Sequence, residues 1–300
     1  MAQLWEIRYG ITHFYVSNIP FPTEQLVLDD DILLVKRDKG CTACLALESE
    51  YDDVFLFGEA ENVLQEIANV YALVSGFSVE LDSQGATGIK SLEELGIPKP
   101  ILDVKTEALY SPDKAKELSA KLLNHWQMTK RIWRKLRERL EQENALFLKL
   151  ALLYYFQSGR SSMPIEEAFV DAAMGLEAMF NDGPQDIRYK LAVRGAMVLF
   201  CSGHPDAKDS FTTLKKLYDK RNKLVHGSER SVDPDDLRLI RSLLRGCLRA
   251  CLGLGLSMNK PQINELIDEA MIEPEARKKL ETEISEGFSS LGLINGSSAL

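Results

Sequence analysis

The feature that most constrains this chain is helical periodicity running almost unbroken from residue 112 to residue 257. Apolar positions recur at three- and four-residue spacing, and the gaps between them carry helix punctuation. Asn181-Asp182-Gly183-Pro184 breaks one segment, Gly227 follows another as a C′ residue, and Ser231-Val232-Asp233-Pro234 starts the next. The pattern predicts helices over 112–139, 164–180, 186–200, 208–226 and 233–257, the first with room to run on toward 156. Long helices joined by short connections give an up-and-down bundle. The tail, 258–300, holds one or two short helices and ends in a flexible Gly/Ser-rich stretch.

The first hundred residues read differently. Short Val, Leu and Ile runs at 26–28, 32–36, 41–47, 52–58 and 77–81 predict strands. Asp29-Asp30-Asp31 and Asp38-Lys39-Gly40 read as turns between them. Residues 61–74 switch to helical period, with Val63, Leu64, Ile67, Val70, Tyr71 and Val74 on one face. Residues 85–100 read as a loop with one short helical turn. The fold class is therefore an α+β N-terminal domain (1–105) followed by an all-α bundle (112–257), with the boundary near 105–113. With 300 residues, two domains is the ordinary expectation.

Charge divides the same way. The chain carries −9 overall. Residues 1–105 hold seven Lys/Arg against eighteen Asp/Glu, a balance of −11, and the rest of the chain holds twenty-nine against twenty-seven. An acidic chain is a poor coat for nucleic acid, which demands many phosphate contacts, yet a local basic cleft remains open to it. The acidic domain is expected to sense or bind something. Its surface would repel RNA, mask a basic helix or dock a basic partner, and the sequence does not choose. The longest apolar run, 145–156, is interrupted by Lys149 and is too short to span a membrane. The first residues, MAQLWEIRYG, lack a secretory pattern, and five Cys is an odd number without framework spacing. These point to reduced thiols in a cytoplasm and no membrane association.

The segment richest in chemistry is Tyr218-Asp219-Lys220-Arg221-Asn222-Lys223-Leu224-Val225-His226-Gly227. Asn222 and His226 are four apart and share a helix face, while Arg221 sits about 100° round from Asn222 with a side chain long enough to reach the same place. His226 lies in the last turn, where unpaired carbonyls favour the imidazolium. A guanidinium beside a proton-transferring imidazole suits a phosphodiester: the first holds the oxygens, the second moves the proton. From spacing alone, the plainer reading is that Arg221 caps a helix end and His226 is a structural cation there.

Arg-x4-His followed by Gly at a helix end resembles the signature of the HEPN superfamily. More closely, Phe169-Val170-Asp171 with Gly175-Leu176-Glu177-Ala178-Met179-Phe180, then Ile187-Arg188-Tyr189-Lys190-Leu191-Ala192-Val193-Arg194-Gly195-Ala196, then Leu217 to Gly227 resemble the Apea-like HEPN domain in order and spacing. The resemblance covers residues 169–227 and leaves the N-terminal domain out. It implies a bundle that dimerises, bringing two Arg-x4-His motifs to one cleft. It also implies a metal-independent endoribonuclease, needing no cofactor, that makes 2′,3′-cyclic phosphate ends and serves in defence or stress response. Carried over, Arg221 stabilises the phosphorane, His226 transfers the proton, and Asn222 donates to the phosphate or orients the His, with Tyr218 supporting. The same resemblance includes non-catalytic members, so a nucleotide-binding, RNA-binding or purely dimerising module is the alternative.

Glu177 and Arg194 fall in otherwise apolar stretches and are expected to form a buried pair that fixes bundle register. The alternative has Glu177 orienting Arg221 or His226. Asp171 and Asp186 read as ordinary surface or helix-start acids. Residues 130–139 hold six Lys/Arg and one Glu around Trp126 and Trp133. Lys130, Arg131, Arg134, Lys135 and Arg137 are candidate RNA contacts. The two Trp, with Ile132 and Leu136, fit core spacing better than base stacking. Cys41-Thr42-Ala43-Cys44 has no second pair nearby. Cys201 with His204, and Cys247 with Cys251, are too few for zinc, so no metal site is expected and the cysteines read as small buried apolar groups.

Overall fold

A computed structural model describes residues 3–13, 25–36, 41–49, 54–76, 79–88, 90–95, 112–160 and 162–293. The chain divides into two compact units, 1–130 and 131–300, and the division falls within one long helix. Most of the expected boundary at 105–113, the turn at 38–40 and the end of the tail lie outside the described residues.

The first unit is a five-stranded antiparallel sheet with helices. The strands are β1 (Gln3–His13), β2 (Gln25–Asp29), β3 (Ile32–Lys36), β4 (Cys41–Ser49) and β5 (Val79–Gly88), in the order β2-β3-β4-β1-β5. Asp30 and Asp31 form the predicted turn, and Asp30 N–H donates to Asp29 Oδ1. β1 is not among the predicted strands, although it carries a period-two signal. Ile7, Tyr9 and Ile11 are buried on one face, against helix α1 (Val54–Ser75), where Tyr9 Oη donates to the Phe57 carbonyl at 3.1 Å. Glu6 and Arg8 point to the other face and pair with each other.

The strand expected at 52–58 is corrected: from Val54 onward the chain is the start of α1. A short apolar run reads equally as strand or buried helix, and here the helical pattern after it extends back through Val54-Phe55-Leu56-Phe57. Likewise β5 continues to Gly88, where a loop is expected from 85. The short helical turn falls at Leu92–Glu94. Tyr71 of α1 packs its ring 4.3 Å from that of Trp126, which belongs to α2 (Pro112–Leu140).

The second unit is all helix: the end of α2, then α3 (Leu146–Gln157), α4 (Ile165–Phe180), α5 (Ile187–Cys201), α6 (Ala207–Val225), α7 (Pro234–Leu254), α8 (Lys260–Ile272) and α9 (Pro274–Leu291). α2 does not run on to 156. It stops at Leu140, and a 3-10 turn at Glu143–Ala145 separates it from α3, with Arg139 Nη1 donating to Gln142 Oε1 and Asn144 Oδ1. Local chemistry sets the other ends. Asp206 and Asp233 cap α6 and α7, and Asn259 with Gln262 forms a capping box on α8. α4 is central and touches α3, α5, α6 and α7. Phe169, Leu176 and Phe180 of α4, Leu199 of α5, and Leu244 and Leu248 of α7 are fully buried. The tail contributes to this core: Ile267 of α8 and Leu280 and Ile284 of α9 are buried as completely.

α7 and α9 approach at Gly253 and Gly287. A Cβ on Gly287 falls 2.5 Å from Gly253 Cα and 2.8 Å from its carbonyl carbon, so the obstacle is backbone and the helices must part. Gly287→Ala is therefore expected to lower stability by about 1–3 kcal/mol despite alanine's better helix propensity, read as the midpoint of urea unfolding. An unchanged midpoint excludes this close crossing.

Among the described residues, no helix is long and apolar enough to cross a membrane. Cys41, Cys44, Cys247 and Cys251 are buried thiols, as expected of small apolar groups, and Cys201 is half-buried. Cys41 and Cys44, three apart on β4, point to opposite faces of the sheet. Among the described residues no group of three or more His, Cys, Asp or Glu is placed to hold a metal ion.

Candidate functional site

The last three turns of α6 carry Tyr218, Arg221 and Asn222, and His226 is the residue at its C-cap. The helix ends there because Gly227 adopts φ +72, a left-handed conformation open to glycine at little cost. Gly227 N–H bonds to the Leu224 carbonyl at 3.0 Å and Ser228 N–H to the Lys223 carbonyl at 2.9 Å, which is a Schellman closure. His226 N–H itself caps the Asn222 carbonyl at 3.0 Å. The main chain thus fixes where the imidazole begins. The imidazole itself is exposed and makes no hydrogen bond or ion pair among the described residues.

Arg221 is held from three sides. Its Nη2 lies 3.0 Å from Glu177 Oε1 on α4, with both side chains about four-fifths buried. Its Nη1 donates to Asn222 Oδ1 at 3.3 Å, and its guanidinium carbon lies 5.6 Å from the Tyr218 ring centroid. Tyr218 is buried beneath it. Burial first, then the negative charge of Glu177, push the Tyr218 phenol up to about 12, with Arg221 pulling the other way. At neutral pH Tyr218 is therefore a neutral phenol under a paired guanidinium. Packing of α4 on α6 creates this cluster.

The expected Glu177–Arg194 pair is not formed. Glu177 serves Arg221, and Arg194 is bound elsewhere. The Arg194 Nε and Nη2 donate to Asp268 of α8 at 2.8 and 2.6 Å, Nη2 also to Asp182 at 2.9 Å, and Nη1 to the Phe180 carbonyl at 2.7 Å. The reason is directional. Both residues face inward, but the side of α5 carrying Arg194 turns toward the C-terminus of α4 and toward α8. The partner at position 268 stands 74 residues away in sequence, beyond any local pattern. Arg194 therefore anchors α4, α5 and α8, and among the described residues no hydrogen bond or ion pair joins it to the Arg221 cluster.

The basic segment of α2 is split in role. Trp126, Ile132, Trp133 and Leu136 are buried, which is the packing expected of them. Lys135 Nζ donates to the Ser290 carbonyl at the end of α9. Arg139 Nε and Nη2 donate to the Gly255 and Met258 carbonyls past the end of α7, at 2.6 and 3.0 Å. These cations sit on helix C-termini, where exposed carbonyls attract them. Arg137 lies 6.0 Å over the Trp133 ring. Arg131 and Arg134 are exposed, and Lys130 is half-buried.

Two grooves flank the Arg221 helix. One, of about 520 Å³, is lined on α6 by Lys215, Lys216, Lys220 and Lys223. Of these, Lys220 is bonded to Asp236 at 2.8 Å. This lysine row lies apart from the basic stretch of α2 that the sequence marks, and its own signal is the i, i+4, i+7 spacing at 216, 220 and 223. The other groove, of about 550 Å³, lies between the start of α4 and the end of α6. Its walls include Glu167, Asp171, Val225 and Glu229. Burial, then Glu167, raise the carboxyl of Asp171, which is half-buried in this wall.

No protein-family profile, no curated protein and no solved structure matches the chain.

Proposed function

We propose that the helical unit is a metal-independent endoribonuclease acting through Arg221 and His226. The observation that carries this reading is the fixed guanidinium of Arg221, clamped by Glu177, Asn222 and Tyr218 one turn before an exposed imidazole at the helix end. The resemblance of residues 169–227 to the Apea-like HEPN domain supports it from the sequence side. In the step itself the RNA 2′-oxygen attacks the adjacent phosphorus, forming the 2′-O–P bond and breaking the P–O5′ bond. The products are a 2′,3′-cyclic phosphate and a free 5′-hydroxyl. His226 takes the proton of the 2′-hydroxyl, Arg221 carries the charge of the five-coordinate phosphorus, and a second imidazole protonates O5′. One chain supplies one His226, so the reading includes a homodimer through the bundle, with two motifs at one cleft. Asn222, whose Oδ1 is taken by Arg221, keeps its NH₂ for a phosphate oxygen. Defence or stress response is the context that the resemblance to the Apea-like HEPN domain implies.

A specific observation favours the second reading in its non-binding form, a module that dimerises through the bundle and cleaves no RNA. The groove beside the helix end is lined by Glu166, Glu167, Asp171 and Glu229, and by one cation, Arg230. Carboxylates there oppose a polyanion. The test is incubation of total RNA and tRNA with the purified chain in EDTA. Fragments ending in cyclic phosphate are expected; intact RNA, with the chain folded and dimeric, leaves the dimerising module in its place.

A further inference from the structure

α8 turns one stripe, Lys260, Asn264 and Asp268, toward the C-terminus of α4 and toward α5. The two outer members are fixed. Lys260 Nζ donates to the Ala178 carbonyl at 2.7 Å, and Asp268 accepts from Arg194 through both oxygens. Asn264, between them, is 3% exposed, and neither its amide nitrogen nor its amide oxygen has a hydrogen-bond partner among the described residues. Burying a polar group without a partner forfeits its hydration with nothing in return, so a native fold keeps one only for a reason. Asn264 lines a cleft of about 860 Å³ together with Arg194, Asp182, Glu265 and Glu269. That volume is of ligand size.

We infer that this cleft binds a free α-amino acid, held as its zwitterion. The charges along α8 are ordered for it. Arg194 is matched by Asp182 and Asp268 and has no charge to spare. Lys260 is bonded to a neutral carbonyl, so its ammonium still seeks an anion, and it stands in the first turn of α8, where the helix also favours negative charge. Burial already pushes the Lys260 ammonium down, a cost that a carboxylate relieves. One turn on, about 6 Å along the axis, Asn264 offers a donor and an acceptor side by side. Beyond it the exposed carboxylates of Glu265 and Glu269 have no ion-pair partner among the described residues. A carboxylate at Lys260 and Asn264 Nδ2, with the ammonium of the same molecule at Asn264 Oδ1 and the two Glu, satisfies both ends of the amide. A simple anion meets the Glu pair, and a simple amine meets Lys260, so neither matches the site alone. This inference is independent of the ribonuclease reading, because the cleft is lined by none of Tyr218, Arg221, Asn222 and His226.

The test uses the full chain and the twenty amino acids singly at millimolar concentration, read by thermal shift and confirmed by calorimetry. At least one amino acid is expected to raise the Tm, while its N-acetyl and its carboxamide derivatives, each lacking one charge, bind at least tenfold more weakly. Asn264→Leu is expected to raise the Tm of the chain alone and to abolish the shift, since it removes the unpaired amide. Lys260→Met, which keeps the length of the stem, is expected to weaken binding at least tenfold with α8 still folded by circular dichroism. Absence of binding by every amino acid overturns the proposal. So does equal binding of the singly charged derivatives, or an Asn264→Leu chain that folds but is less stable than the parent.

Discussion

His226→Ala is expected to reduce RNA cleavage by about 10²- to 10⁴-fold, the usual contribution of a positioned proton-transfer group, with no change in fold or unfolding midpoint. The structure makes this a clean substitution. The imidazole is exposed and makes no hydrogen bond or ion pair among the described residues. The Schellman closure uses main-chain groups and Gly227, all of which alanine preserves. Stability is therefore expected to hold within about 0.5 kcal/mol. Arg221→Lys is the companion. Lysine keeps the charge but loses the planar fork that reaches Glu177 and Asn222 together, so cleavage is expected to fall as for the His variant while the chain stays folded. The readout is the initial rate of cyclic-phosphate formation on a defined RNA in EDTA. A His226→Ala chain that cleaves at the parental rate removes His226 from the chemistry. A variant that retains RNA affinity but not cleavage separates catalysis from binding.

Much of the helical unit was legible because its signals are local. Pro234 after Asp233, the Asn181-Asp182-Gly183-Pro184 break and Gly227 each act within a few residues, and the helices begin and end where those residues place them. The sheet was less legible. β1 alternates Ile7, Tyr9 and Ile11 on one face with Glu6 and Arg8 on the other, where the two charges pair and Glu6 is buried. The 54–57 run shows the opposite error: apolar residues in a row carry no period, and only the helix that follows decides their conformation.

The candidate site divides along the same line. Arg221, Asn222 and His226 come from one helix turn and its cap, so spacing alone placed them together. The choice of partner for Glu177 was a tertiary fact. Two inward-facing opposite charges on consecutive helices suggest a pair, yet each found a closer partner on another element: Arg221 on α6 for Glu177, and Asp268 on α8 for Arg194. Pairing across a bundle depends on which side of each helix faces which neighbour, and periodicity gives the face but not the neighbour. The same reasoning applies to the lysine row on α6, whose groove also holds Glu229 and Asp236, neighbours that periodicity along α6 does not give.

Trp133→Ala is expected to destabilise the chain by about 3–5 kcal/mol, and Trp133→Phe by far less, with RNA affinity per folded molecule unchanged by either. Trp133 sits in the most basic stretch of the chain, where an indole between cations invites a base-stacking role. The structure answers with burial: the side chain is 1% exposed, Arg137 stacks over its ring at 6.0 Å, and Lys135 and Arg139 reach carbonyls at the ends of α9 and α7. Truncation to alanine empties the volume of a large aromatic ring that the surrounding helices cannot fill. Phenylalanine keeps most of that volume. It also removes the indole Nε1 donor, which is buried without a partner, so part of its packing loss is offset. Urea unfolding of the two variants beside the parent measures the difference, and filter binding to a labelled RNA measures the affinity. A Trp133→Ala chain with parental stability and lost RNA binding reverses the assignment, making the indole a contact surface and the basic stretch of α2 the path of the RNA.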